Sequence, residues 1–228
     1  MMMLADNIGF AQRLGSICSQ LMSGVGASLL IFFLTLLFSL PLGLLVAFGR
    51  MSKFKPLSLL VKLYISVVRG TPLMLQLLVV FFGPFFLFGI RSTPEYRFYA
   101  VIIGFSLNYA AYFAEIYRGG IQSIPRGHYE AAEVLGYSKA QTFMKIVLPQ
   151  VFKRILPAVG NEVITLVKDT SLCFVLALAE MFTIVKQIVA AQVSMVPFIL
   201  AALVYWGFTM LVEFLLGRVE KHFDYYHD

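Results

Sequence analysis

The sequence predicts an all-α integral membrane protein with five transmembrane helices, and three observations predict it. Of 228 residues, 60% are hydrophobic and 13% charged, with a mean hydropathy of +0.85. A soluble domain sits nearer half apolar and a quarter charged. The apolar residues are gathered into blocks long enough to cross a bilayer, which takes roughly 20 residues. The basic residues collect between those blocks on alternate sides, as the bias of Lys and Arg toward cytoplasmic loops requires.

The elements follow in order. The first block covers residues 25–48, within ASLLIFFLTLLFSLPLGLLVAFG, and Arg50, Lys53 and Lys55 follow it. The second covers 57–88 and is interrupted by RGTP at 69–72. The third covers 98–117, and the stretch 118–154 after it is polar and basic. The fourth covers 155–178 and the fifth 196–216, ahead of Arg218 and Lys221.

Orientation comes from the charges. Arg50, Lys53, Lys55, Arg118, Arg126, Lys139, Lys145, Lys153, Arg154, Arg218 and Lys221 share one set of connections, eleven of the eighteen basic residues. Arg13, Arg91, Arg97 and Lys186 lie on the other side. The N-terminus is therefore expected outside and the C-terminus in the cytoplasm. The expected units are an outer segment 1–23, a membrane domain 24–217 and a cytoplasmic tail 218–228.

The opening MMMLADNIGFAQR lacks an early basic region before a short apolar run, so no cleavable leader is expected. The net charge of +6 does not point to nucleic acid, because the basic residues flank apolar blocks. Cys18 and Cys173 form no motif. His128, His222 and His227 are read as solvated and not as metal ligands. The 22 Phe and 11 Tyr are read as lipid-facing and interfacial. Ala110 and Ala114 have the small-xxx-small spacing of close helix packing.

The stretch GHYEAAEVLGYSKAQTFMKIVLPQ, residues 127–150, is charged and helix-forming between membrane-grade segments. Pro125 suits a first helical turn, where its missing N–H is no loss. Gly136 is placed to end that helix as a left-handed cap. Ser138 and Gln141 form a capping box for a second helix, and Pro149 marks a break or kink. Ala131 and Ala132 offer a small, flat surface beside Tyr129, Val134, Leu135 and Tyr137. A solvated loop is the plainer reading. An exposed apolar patch rimmed by charge is the mark of a docking element.

Asn161, Glu162, Lys168 and Asp169 fall in or near the fourth span, where a charge costs about 2.5–3.5 kcal/mol on insertion scales. Glu162 and Lys168 are six apart and Lys168 and Asp169 adjacent, so one continuous helix splays them. A broken helix, or one lining a water-filled path, avoids turning them to lipid. In RGTP, Thr71 before Pro72 suits an unwound turn whose freed backbone groups receive the ends of a zwitterion.

The stretch resembles the EAA loop of ABC-transporter permease subunits, in Glu130-Ala131-Ala132, Gly136 and Ile146-x-Leu148-Pro149. RGTPLMLQL, NYAAYFAEIYRGGIQSIPRGHYEAA and GNEVITLVKDTSL resemble segments of the polar amino-acid class of type I importer permeases, which also takes in opine and cystine systems. The resemblance runs over residues 24–217.

The resemblance implies a type I permease fold in which the loop, about 123–150, is a coupling helix seated on an ATPase subunit. Two permeases, as a homodimer in preference to a heterodimer, would sit over two ATPases. A substrate-binding protein would deliver a polar amino acid at the outer face of a bacterial inner membrane. ATP and Mg would be handled by the ATPase, and this chain carries no G-x-x-x-x-G-K-[ST] loop of its own. Glu130, Ala131, Ala132, Gly136, Ile146, Leu148 and Pro149 would couple the two subunits. Glu162 would meet a substrate ammonium, with Asn161 beside it, or would pair with a lysine for structure. Arg69 would hold a carboxylate or anchor the chain at the cytoplasmic side. Thr71 and Gln76 are further candidates for substrate contact, and Lys168 and Asp169 for structural or gating roles. No HExxH, paired ligand cysteines or G-x-S-x-G elbow appears, so neither a metal site nor a membrane-embedded enzyme is expected. The competing reading is a small channel or ion-coupled carrier that works without an ATPase.

Overall fold

A computed structural model describes residues 2–90 and 93–223, and every regular element among them is a helix. In order these are α1 (Met2–Met51), α2 (Lys55–Gly70), α3 (Leu73–Phe88), α4 (Tyr96–Gln122), α5 (Arg126–Val134), α6 (Lys139–Thr142), α7 (Leu148–Asp169), α8 (Met181–Gln192) and α9 (Val196–Phe223). Arg91 and His227 lie outside the described residues.

Three stretches are each long and apolar enough to cross a membrane: Gln12–Met51, Tyr96–Gln122 and Val196–His222. Two further pairs pass the same test together but are bent. The α2–α3 pair turns by 113°, and the helix running from α6 to Leu176 turns by 58° into α8. The count is three, or up to five if each bent pair is one span.

α4 is the centre of the molecule. Val101, Phe105, Tyr109 and Phe113 recur every four residues on one stripe, and all are buried. They pack with Leu77, Phe81, Val163, Leu166 and Val167 from α3 and α7. This corrects the lipid-facing reading for part of the aromatics: Phe105, Tyr109 and Phe113 of α4 fill the core, and the lipid-grade surface is Phe33, Leu37, Phe38 and Leu45 of α1 and Trp206, Leu211 and Phe214 of α9. Lipid is as apolar as a protein core, so composition alone does not separate the two.

Small residues let α1 approach α4. Ala110 and Ala114 are fully buried, and a Cβ built on Gly43 would stand 2.8 Å from Phe113 Cβ and 3.2 Å from the Ala110 carbonyl. In lipid such close packing replaces the expulsion of water as the force holding helices together. Hydrogen bonds across helices add to it: Tyr64 donates to the Leu107 carbonyl (2.5 Å), Tyr96 to Val80 (3.1 Å), and Tyr117 to Leu40 (3.4 Å).

Two stretches at the expected boundaries are helical. From Met2 the outer segment 1–23 is the start of α1, continuous with the first apolar block. Ile17 and Leu21 of that extension are buried against Met181, Val185, Ile188 and Ala201 of α8 and α9. The fourth block is α-helical only to Asp169. It continues as a 3-10 turn, Thr170–Leu176, and ends where Ala177 takes φ 51°.

Candidate functional site

The stretch 127–150 folds as helix, glycine turn, helix. α5 starts behind Pro125 and stops at Gly136, which takes φ 78°. The Gly136 N–H donates to the Glu133 carbonyl (2.9 Å) and the Tyr137 N–H to Ala132 (3.0 Å), closing the helix end. Ser138 caps α6: its hydroxyl accepts from the Gln141 N–H (3.3 Å), and the Gln141 side chain accepts from the Ser138 N–H (2.9 Å). The loop is thus built as a rigid turn and not as a loose strand of chain.

Its outward face differs in one residue from expectation. Ala132 is only 1% exposed and faces inward, whereas Val134 and Leu135 are 88% and 73% exposed. Glu130, Ala131 and Glu133 are also exposed, so the face pairs carboxylates with bare apolar side chains. Tyr129 and Tyr137 border it at 37% and 39%.

Pro149 does not break the chain. A π-helical turn, Phe143–Val147, precedes it, and the proline occupies the first turn of α7, where no N–H is missed. Ile146 is half-buried and Leu148 exposed on this turn. Gln150 ties it back: its amide donates to the Ile146 carbonyl (2.9 Å) and lies 3.5 Å from His128 Nδ1. His128 is therefore part of the loop's frame.

The second cluster lies where α7 meets α4 and the α2–α3 break. α7 is unbroken through Asn161, Glu162, Lys168 and Asp169, which removes the broken helix of the two alternatives and leaves the one that lines a path. Spacing resolves the difficulty instead. Glu162 and Asp169 are seven residues apart, two turns on one face, and both are half-buried toward α4. The Tyr109 hydroxyl donates to Asp169 Oδ2 at 2.7 Å. Asn161, Thr165 and Lys168, at spacings of four and three, form a neighbouring exposed polar stripe.

Arg69 sits at the end of α2 with its guanidinium 5.1 Å from the centre of the Tyr112 ring. Its charge reaches both Glu162 and Glu115. Arg69, Tyr112, Glu162, Asp169 and Tyr109 thus make one polar patch, with a cation at one end and carboxylates beyond it.

Thr71 and Gln76 serve the break itself. The Thr71 hydroxyl donates to the Val67 carbonyl (2.8 Å). The Gln76 amide nitrogen donates to the Val68 carbonyl (2.7 Å) and to Thr71 Oγ1 (2.9 Å), and Gln76 Oε1 accepts from buried Asn108 (2.9 Å). The Val67 and Val68 carbonyls beside the Pro72 break are therefore each met by a donor from within the chain. Gln76 and Asn108 brace the 113° turn.

Sequence reasoning missed Tyr109, Asn108 and Glu180. Glu180 is fully buried and caps α8: Oε2 accepts from the Phe182 N–H (2.7 Å), and Oε1 from the Thr183 N–H (2.7 Å) and hydroxyl (2.9 Å). Ser28 of α1 and Tyr205 of α9 also reach it, at 3.4 and 3.5 Å. A carboxylate three residues before a threonine, just past an apolar block, was the available signal. Among the described residues no group of three or more His, Cys, Asp or Glu is placed to hold a metal ion.

The model of one protein family, described as the inner membrane component of binding-protein-dependent transport systems, matches residues 39–225. The chain belongs to this family. It is similar to the L-cystine transport system permease protein TcyB of Bacillus subtilis (strain 168), 36% identical over 195 residues, which is 85% of this chain and 82% of TcyB. The arginine transport system permease protein ArtQ of the same organism is 36% identical over 202 residues, 88% of this chain and 91% of ArtQ. A crystal structure of an amino acid ABC transporter with histidines superposes with a TM-score of 0.84 at 33% identity, covering 92% of this chain and 97% of that one. An inward-facing MetNI methionine ABC transporter, with a TM-score of 0.66 at 16% identity, shares the fold. The chain is thus a permease component of a bacterial ABC import system, with the all-helical type I permease fold. These relationships favour that reading over a channel or carrier working alone.

Proposed function

We propose that this permease forms half of the path by which a polar amino acid, delivered by a substrate-binding protein, is imported at the expense of ATP hydrolysed by partner subunits. Its five spans are residues 25–48, 57–88, 98–117, 155–178 and 196–216, within a membrane domain 24–217. The N-terminus is outside and the tail 218–228 cytoplasmic. The loop 123–150 is the coupling helix. Two copies of the chain pair over two ATPases, which handle ATP and Mg.

One observation carries the coupling role. Val134 and Leu135, 88% and 73% exposed, stand at the end of a helix that is closed there by hydrogen bonds from Leu135, Gly136 and Tyr137. A rigid, short helix with bare apolar residues and flanking carboxylates suits seating in a groove of another protein. Glu130, Ala131 and Glu133 supply the polar part of that contact, and Gly136, Ile146, Leu148 and Pro149 hold its angle to α7.

The substrate reading rests on Glu162, Asn161 and Arg69. A carboxylate and a guanidinium at the two ends of one patch complement the ammonium and carboxylate of an amino acid. Thr71 and Gln76 hold the α2–α3 turn that carries Arg69, and Asp169, fixed by Tyr109, sets the end of α7 beside Lys168. The relatives named for cystine and arginine transport agree in substrate class.

The test is a detergent pulldown of tagged wild-type and Glu130→Lys chains from the native cell, with uptake measured in parallel. Wild type is expected to bring down an ATPase subunit. The variant should lose it and lose uptake while still reaching the membrane. Normal ATP-driven uptake by the variant would remove the loop from the coupling role.

A further inference from the structure

We propose that the turn between α1 and α2 is a binding site for the phosphate of an anionic phospholipid. An open cavity of about 550 Å³ lies there, lined by Arg50, Ser52, Lys55, Ser58, Leu59 and Lys62. The helical period puts these residues together: Lys55, Ser58, Leu59 and Lys62 fall at spacings of three, four and seven on one face of α2. That face looks onto the last turn of α1. Arg50 is held in place there, with Nη1 donating to Ser58 Oγ (3.3 Å) and Ser58 Oγ donating to the Arg50 carbonyl (2.9 Å).

The charge in this cavity is unbalanced. Three cations and two hydroxyls line it and no carboxylate does. Glu115 of α4 is near enough for its charge to feel Arg50, but its carboxylate is taken by Arg118 at 2.6 Å. Lys55 and Lys62 make no ion pair or hydrogen bond among the described residues. α2 also starts here, and its N-cap, Phe54, offers no side-chain acceptor to the first N–H groups. Those N–H groups and the helix dipole add to the attraction for an anion.

The surroundings select a lipid over a free anion. Phe54, Leu59, Leu60 and Leu63 are 65%, 68%, 67% and 62% exposed beside the mouth of the cavity. A free phosphate gains nothing from them, whereas acyl chains lie against such a surface below a bound headgroup. Basic pockets at the cytoplasmic ends of membrane helices have this use, since that leaflet carries the anionic lipids. The site rests on the orientation given above, in which this turn is cytoplasmic.

The experiment is native mass spectrometry of the purified complex in mixed micelles of phosphatidylglycerol or phosphatidylcholine, with wild type, K55Q/K62Q and K55R/K62R. Each lysine near an anionic headgroup is worth about fivefold in affinity, so the double Gln variant is expected to hold phosphatidylglycerol roughly 30-fold more weakly. The double Arg variant keeps the charge and should keep the lipid. Phosphatidylcholine should be held weakly by all three. Equal retention by wild type and K55Q/K62Q would overturn the proposal. So would displacement of the lipid by millimolar inorganic phosphate, which would make the ligand a free anion. If K55Q/K62Q instead loses its ATPase subunit with lipid retention unchanged, the cluster is a protein contact. Wild type arriving without any ATPase contradicts the coupling reading and leaves this lipid measurement standing on its own.

Discussion

At the scale of single residues, Glu180 shows how a charge is kept inside this fold. Both of its oxygens are filled by donors from α8, and Ser28 and Tyr205 bring α1 and α9 to the same point. Truncating it strands two backbone N–H groups and a hydroxyl away from water, at about 1–3 kcal/mol for each unsatisfied group. Glu180→Ala is expected to melt well below wild type in detergent, with Glu180→Gln in between because one acceptor oxygen remains. An unchanged melting temperature for the alanine variant would show that the carboxylate holds nothing. Glu162 is a different case, since it is half-buried and, among the described residues, no side chain is hydrogen-bonded to it. If it receives a substrate ammonium, Glu162→Ala loses a charged hydrogen bond of about 1.5–3 kcal/mol, which is roughly 10- to 100-fold in apparent KM for uptake. The ATPase should still co-purify. Uptake kinetics equal to wild type would take Glu162 out of the substrate site.

At the scale of elements, Gly136 decides the geometry of the coupling loop. Its φ of 78° is open to glycine and closed to proline, whose ring fixes φ near −65°. Gly136→Pro also deletes the N–H that meets the Glu133 carbonyl at 2.9 Å. The variant is expected to reach the membrane at wild-type level, because the loop adds nothing to the α4 core, and to lose ATP-driven uptake. Retained uptake would mean that the angle between α5 and α6 does not matter to coupling. This loop was legible in the sequence because its signals are local: a glycine cap and an S-x-x-Q box each act within four residues. The RGTP break was legible for the same reason. Pro149, expected to mark a break or kink, stands where a π-helical turn gives way to α7, a wide turn that the local rule for proline does not specify. Glu162 with Asp169 could have been paired by counting seven. The Tyr109–Asp169 and Ser28–Glu180 contacts could not, since they join residues 60 and 152 apart along the chain. The roles of the α4 aromatics were hidden for a chemical reason: a phenylalanine facing lipid and one facing a helix satisfy the same apolar demand.

At the scale of the whole molecule, the way the bundle sits in the membrane can be read from one native cysteine and one introduced cysteine. Cys18 is exposed in the N-terminal part of α1, and Cys173 is fully buried in the core beside α3 and α4. A thiol reagent that cannot cross the membrane therefore reads one site in the native chain and is blind to the other. In the orientation proposed above, which the split of eleven basic residues against four supports, Cys18 is expected to be labelled in cells whose inner membrane is intact. Val134→Cys, placed on the coupling face, provides the opposite marker in a Cys18→Ser chain expressed without its partners. It should stay unlabelled until the inner membrane is opened. The reversed pattern would place the basic loops outside, against the charge bias, and would put the coupling helix on the wrong side of the membrane to meet an ATPase. Two sites labelled from the same side would require an even number of crossings between residues 18 and 134. The α2–α3 pair would then fold back at its 113° turn without crossing, leaving α1 and α4 as the two helices that cross between those sites.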